Sequence, residues 1–309
     1  MAADGEAPHP TFEGYAAEAV PGAAVGAPGK DGVLELTFAS AAGGTRLVHD
    51  YATVPFHVSG TLGHDPHPDA ETVFVQSPTG GVAQGDRHDV TVDLKEGAVA
   101  HVSTQSSTKV QRMEHNYASA DVRLSVGPDA HLDYVPEPTI LHADARYAQS
   151  LTVDLAAGAS AVVADVVVPG RLARGERFDF ERYLARTRGE GPEGLLFEDA
   201  TVLAPGESDP RTPGVLGEHA VYGTAFVIAP DADAAELSDA LHEAVVEADG
   251  DADSADAVRA GATALPNGAG VAVRALGDRA ESVTAALHAA WDRARRRLVD
   301  APAPAGRKY

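Results

Sequence analysis

Three strand–turn–strand units recur through the middle of the chain, and their spacing constrains the fold more than any other feature. Val90-Thr91-Val92-Asp93-Leu94 leads through Glu96-Gly97-Ala98 into Val99-Ala100-His101-Val102. Residues 122–126 lead through Pro128-Asp129-Ala130 into residues 131–134, and residues 151–155 through Ala157-Gly158-Ala159 into residues 160–163. Aligned on Ala98, Ala130 and Ala159, the units sit 32 and 29 residues apart. Each strand alternates apolar and polar residues with period two, the pattern of a half-buried strand. Each turn is short and marked by Gly or Pro. Such repetition predicts a mainly β fold, with antiparallel hairpins stacked in a β-sandwich or an irregular β-solenoid.

The flanks read differently. Residues 1–32 are rich in Ala, Gly, Pro and Glu without periodicity, which predicts a disordered or loosely attached tail. Residues 33–220 form the β-rich domain. Residues 221–300 form a smaller C-terminal α+β segment packed on it, holding two helices. The first helix starts near Ala234, with Leu237, Leu241, Val245 and Ala248 on one face and Asp233 as its cap. The second runs from about Arg279 to Leu298, with a stripe of Val283, Leu287, Trp291, Ala294 and Leu298 and Asp278 as its cap. Arg293, Arg295, Arg296 and Arg297 fall where a helix C-terminus favours cations. Residues 301–309 read as a Pro-rich tail.

Composition removes several classes. The 309 residues carry a formal charge of −22, and only 4 of the 24 basic residues are Lys. So negative a surface disfavours nucleic acid as a partner. Abundant acids with scarce Lys resemble proteins of salt-loving organisms, where concentrated electrolyte screens self-repulsion. Without Cys, disulfides and thiolate metal sites are excluded. No apolar run approaches the roughly 18 residues of a membrane span, and no signal core opens the chain, so a cytoplasmic protein without a membrane partner is expected. Phosphate-loop, nucleophile-elbow and His-Glu-x-x-His motifs are absent.

Two polar, glycine- and hydroxyl-rich segments bracket the first unit. One is Ser77-Pro78-Thr79-Gly80-Gly81 through Gly85-Asp86-Arg87, the other Thr104-Gln105-Ser106-Ser107-Thr108-Lys109. Downstream come Pro136-Glu137-Pro138-Thr139-Ile140, Ala145-Arg146-Tyr147-Ala148-Gln149, Pro169-Gly170-Arg171 through Gly175-Glu176, and Val273-Arg274-Ala275-Leu276-Gly277. In this order, over roughly residues 33–298, the set resembles the urease accessory proteins of the UreD (UreH) family. Gln111 stands where that family has an aromatic, and Gln84 where it has Gly. The resemblance implies a non-catalytic maturation factor. It would bind apo-urease with a UreF-type protein and a UreG-type GTPase and help deliver nickel. No tightly bound cofactor is implied, only transient nickel.

The residues add candidates of their own. Asp86, Glu137, Asp144, Asp165 and Glu176 all fall within motif segments, and Asp165 interrupts a strongly apolar strand. A buried carboxylate needs a cation or hydrogen-bond donors, and Arg87, Arg146 and Arg171 are the expected partners. With Thr104, Gln105, Ser107, Thr108 and Lys109, these acids are expected to line a hydrated passage or a partner surface. Weak oxygen ligands there would let a hard or borderline cation move on. His64 and His67, with His57, form the one local imidazole cluster able to bind Ni²⁺ or Zn²⁺. The alternative is a β-sandwich hydrolase using Asp165 and Glu176 as paired acid and base.

Overall fold

The computed structural model describes residues 7–20, 28–63, 65–249 and 257–305, and among these two sheets face each other. Strands β1 (Asp31–Ala41) and β2 (Gly44–Ala52) pair antiparallel at one edge of the first sheet. Strands β3 (His57–Leu62) and β4 (Ala70–Gln76) do so in the second. The chain then crosses back and forth. β5 (Arg87–Leu94) joins the first sheet, and β6 (Val99–Thr104) and the short β7 (Thr108–Val110) the second. β8 (Ala118–Val126) returns to the first, and β9 (His131–Tyr134) and β10 (Thr139–Leu141) to the second. β11 (Arg146–Leu155) lies in the first and β12 (Ser160–Val168) in the second. β13 (Arg182–Gly191) and β14 (Gly194–Leu203) close the far edge of the first sheet. β15 (Val221–Ile228), β16 (Arg259–Ala264) and β17 (Gly270–Gly277) extend the second. The helices are α1 (Glu13–Ala16), α2 (Ala234–Asp249) and α3 (Ala280–Leu298).

The repeated units stack as a solenoid, but they are arches rather than antiparallel hairpins. The two strands of a unit belong to different sheets. Each pairs in parallel with its counterpart in the next unit: Leu94 with Val126 and Val126 with Leu155, then Val99 with His131 and His131 with Ser160. The turns match in detail. Ala98, Ala130 and Ala159 each donate their N–H to the carbonyl three residues back, at 3.1, 3.2 and 3.2 Å. The residue before each alanine, Gly97, Asp129 or Gly158, has left-handed backbone, with φ of 64°, 55° and 73°. Gly and Asp adopt that conformation cheaply. The alternation leaves hairpin and arch equivalent, because both aim every second residue at one interior. That interior holds Leu36, Phe38, Val75, Val92, Leu94, Val102, Leu124, Leu132 and Val153. Each such side chain contributes about 1.5–3 kcal/mol on burial.

A second apolar layer lies between the outer face of the second sheet and the two long helices. Val162, Val166, Val227 and Val273 meet Leu237, Leu241, Val245, Leu287 and Trp291 there. The strands after residue 220 are therefore continuous with the sheet before them, through β15 on β12. Asp233 caps α2 as the sequence suggests, accepting from the N–H groups of Ala235 and Glu236. Asp278 does not cap α3. Arg279 occupies that position without a side-chain bond, and Asp278 lies 3.9 Å from Arg177 Nη1. Arg295 is not a solvated dipole partner either. It follows Trp291 by one helical turn on the inward stripe and is fully buried.

Both tails are docked where described. Phe12 is fully buried against Tyr117, Ala148 and Leu184, because even one aromatic ring removes a large apolar area from water. At the other end Ala301 and Ala303 are buried, and the Pro304 carbonyl lies 2.9 Å from His288 Nε2. No described helix is long and apolar enough to cross a membrane.

Candidate functional site

The second sheet is interrupted at one height across three stacked rungs. β4 ends at Gln76, and pairing resumes only at Val82, bridged to Val110. β6 ends at Thr104 and its line resumes as β7 at Thr108. β9 ends at Tyr134 and resumes as β10 at Thr139. The neighbouring β12 runs through unbroken. Its Val163 pairs with Tyr134 and its Val167 with Thr139, so Ala164, Asp165 and Val166 face a gap in the ladder.

The sequence makes these gaps locally. Pro78, Pro136 and Pro138 have no N–H to give a ladder. Gly81, at φ 125°, passes so close that an added Cβ would sit 2.2 Å from the Lys109 carbonyl oxygen. The interrupted segments hold one another instead. The Glu137 N–H donates to Thr104 Oγ1 at 2.9 Å, and the Thr108 N–H to the Pro138 carbonyl at 3.0 Å. Gln111 and Gln84 tie the flanks of these loops. Gln111 Nε2 donates to the Gly80 carbonyl, and Gln84 Oε1 accepts from the Glu114 N–H, each at 2.9 Å.

The slot has a cavity on each side. Between the sheets lies one of about 280 Å³, bordered by Ser77, Thr104, Ser107, Thr108, Lys109, His88 and Tyr147. Outside the second sheet, under α3, lies one of about 130 Å³, bordered by Phe74, His101, Glu137, Leu287 and Trp291. Pro136 and Asp165 border both. Asp165 accepts from Tyr183 Oη at 3.0 Å, and burial pushes its carboxyl up to about 6 although that bond opposes the shift. Burial also raises the hydroxyls of Tyr134 and Tyr147, with the Asp165 charge adding to both.

The arginines expected to neutralise Asp165 are committed elsewhere. Arg87 Nη2 donates to Asn116 Oδ1 at 2.7 Å, and its guanidinium lies 4.2 Å from the Tyr117 ring centre. Arg146 pairs with Glu181 at 2.6 Å and Glu18 at 3.0 Å, and Arg171 with Glu176. Among the described residues, Asp165 has the Tyr183 hydroxyl and the Val166 N–H as its hydrogen-bond donors.

The structure therefore divides the candidate residues. Thr104, Ser107, Thr108, Lys109, Glu137 and Asp165 meet at the slot. Gln105 is an exposed residue of the second interruption, its N–H donating to the Val75 carbonyl at 2.8 Å. Asp86 is buried but accepts from the N–H groups of Lys30 and Ala83, at 2.8 and 2.9 Å, which fixes the turn before β5. Asp144 is exposed, 3.3 Å from Arg112 Nε. Glu176 also accepts from the Ala143 N–H, and Arg171 holds its carboxyl below the usual range. Asp86, Asp144 and Glu176 border neither cavity, so the five acids do not share one interior, and Asp165 and Glu176 bind different partners. His64 lies outside the described residues, and His67 Nδ1 accepts from the Asp69 N–H at 3.2 Å. Among the described residues no three His, Asp or Glu side chains converge as a metal site.

Sequence reasoning passed over His88. The signal was there: it occupies the first inward position of the run His88, Val90, Val92, Leu94. Burial pushes its imidazole down to about 4, against the pull of Asp86.

Comparison with known proteins adds an independent line. The family model described as UreD urease accessory protein matches residues 30–308. A Haloarcula marismortui protein named urease accessory protein UreD is 75% identical over all of both chains. One of that name from Natronomonas pharaonis is 48% identical over 96% of this chain and 98% of its own. One from Cenarchaeum symbiosum is 32% identical over 92% of this chain and 98% of its own.

Proposed function

The chain belongs to the UreD family of urease accessory proteins, and from that premise we propose that it is a scaffold of urease maturation whose slot passes nickel toward apo-urease. In this reading it works in the cytoplasm with a UreF-type protein and a UreG-type GTPase. Nucleotide hydrolysis falls to the GTPase, which fits the lack of a phosphate loop in this sequence. The observation that carries the proposal is the position of Asp165, a buried carboxylate with no cation partner among the described residues, on the border of both cavities.

The chemistry of the walls supports transit over storage. Hydroxyls of Thr104, Ser107 and Thr108 and the carboxylates of Glu137 and Asp165 are oxygen donors, each weak alone. A divalent ion handed between such donors, with water completing its shell, is never held tightly. The remaining motif residues keep the walls in place: Asp86 and Arg87 fix the loops beside β5, and Glu176 with Arg171 fixes the segment after β12.

Filling the slot tests the proposal. Thr108→Trp should leave the complex with urease intact while the nickel content of the purified urease falls toward that of a strain lacking this chain. Normal nickel content with the variant would remove the passage. Loss of the complex would make the slot part of the interface or the fold instead.

A further inference from the structure

Inside the larger cavity one side chain does not fit its surroundings. On β5 the inward positions read His88, Val90, Val92, Leu94, and the in-register neighbours of His88 are Gly32 and Ala120. Two small residues thus make room for the ring. A Cβ added at Gly32 would already stand 3.1 Å from His88 Cδ2. Phe56 packs edge-on against the imidazole, with ring centres 4.9 Å apart. His88 is 9% exposed, and its buried Nε2 has no hydrogen-bond partner among the described residues.

A buried polar atom left unsatisfied is costly, and a leucine would serve packing better. The environment also keeps the ring neutral at physiological pH, since burial outweighs the attraction of Asp86 and acts with the repulsion of Lys30. A neutral imidazole offers one nitrogen lone pair. Late first-row divalent ions favour that donor, whereas Mg²⁺ and Ca²⁺ favour oxygen. Oxygen donors border the same cavity: the Thr104, Ser107 and Thr108 hydroxyls and the Asp165 carboxylate.

We propose that His88 is a metal-selecting nitrogen donor in the cavity between the sheets, beside the slot, a transient station for nickel-like divalent ions that is completed by hydroxyl and water oxygens. This rests on the reading of the slot as a passage. A single imidazole among weak oxygens discriminates between ion classes yet releases the ion it selects, which is what a route requires and a store does not.

The test is a titration of the full chain with NiCl₂ in excess MgCl₂, following the imidazole ¹⁵N signals of ring-labelled histidine. The His88 signal, assigned by its loss in His88→Leu, should broaden as nickel is added and stay broadened as Mg²⁺ is raised. His88→Leu should bind one nickel fewer, or bind at that site more weakly by at least the about tenfold that loss of an outer-shell partner costs. A His88 signal that stays sharp while exposed histidines broaden would overturn the proposal, as would reversal by Mg²⁺. The wild-type spectrum decides even if the variant folds poorly, because the signal can also be assigned by spin-labelled neighbours. Failure of the passage reading itself would show elsewhere, as normal nickel delivery by Thr108→Trp.

Discussion

Arg295 Nη1 lies 2.9 Å from Asp133 Oδ2, and both side chains are fully buried. The same guanidinium reaches Asp65 at 2.6 and 2.8 Å, while Trp291 Nε1 donates to Asp133 Oδ1 at 2.7 Å. His131 Nε2 lies 3.1 Å from that oxygen, and its Nδ1 lies 2.8 Å from Ser160 Oγ. Six side chains thus fasten α3 to the loop before β4 and to β9 and β12. Burial pushes the Asp133 carboxyl up, but His131 and Arg295 outweigh it and hold it below the usual range.

Arg295→Leu should therefore be severe. It leaves two carboxylates buried without their cation, and removal of one partner from a buried pair costs about 3–5 kcal/mol. Arg295→Lys should rescue little, because a single ammonium cannot span the fork that both aspartates use. Urea denaturation checks this. A loss below about 1 kcal/mol would mean the pair is solvated, as a surface pair would be.

The arch stack makes a second expectation. Ala130 is 2% exposed, with the Ala98 turn beneath it and the Ala159 turn above. Ala130→Leu should force the rungs apart and cost about 1–3 kcal/mol, the usual range for overpacking. A wild-type melting temperature would show that the turns have slack.

Much of this was readable from the chain, for reasons tied to local chemistry. The recurrence at Ala98, Ala130 and Ala159 signalled a stack because identical turns demand identical neighbours. Asp233 signalled a helix start because a cap acts over three residues. What escaped depended on distant partners. Period-two alternation is the same in a hairpin and an arch, so the pairing of Val99 with His131 had no local sign. Nothing near Asp165 in sequence points to Tyr183, and nothing near Arg295 points to Asp65, 230 residues away. The slot is an intermediate case. Pro78 marks one loop, Ser106-Ser107 the next and Pro136 with Pro138 the third, but only the parallel register places the three loops at one height.

The raised pKa of Asp165 sets a pH dependence. Its folded value, about 6, lies above the ordinary 3.8, so the folded state holds the proton more tightly than the unfolded chain. The penalty for burying the ionised carboxylate is absent below pH 3.8, grows through the window to pH 6, and is complete above it. Asp165→Asn mimics the neutral form and can still accept from Tyr183. It should stabilise the protein at pH 8 by up to about 3 kcal/mol and do little at pH 3.5. Melts of both proteins across that range decide the matter. Equal gain at the two ends would place the benefit in packing and not in charge.

The docked N-terminal segment gives the last expectation. Phe12 is fully buried, with its ring edge-on to Tyr117 at 5.2 Å, and α1 ends at Ala16, with Ala17 as its C-cap. Glu18 then accepts from the Asn116 N–H at 2.6 Å and pairs with Arg146 at 3.0 Å, while Tyr15 Oη donates to Glu181 at 2.8 Å. Asn116 and Arg146 are the residues that hold Arg87 and the start of β11, so the segment braces the loops behind the slot. Phe12→Ala removes the ring from a filled site and should cost about 3 kcal/mol or more. Tyr15→Phe removes one half-exposed hydrogen bond and should cost about 1 kcal/mol or less. If Phe12→Ala unfolds with the wild type, the segment only rests on the surface. If it costs as expected and also slows nickel delivery, bracing by these first residues extends to the slot.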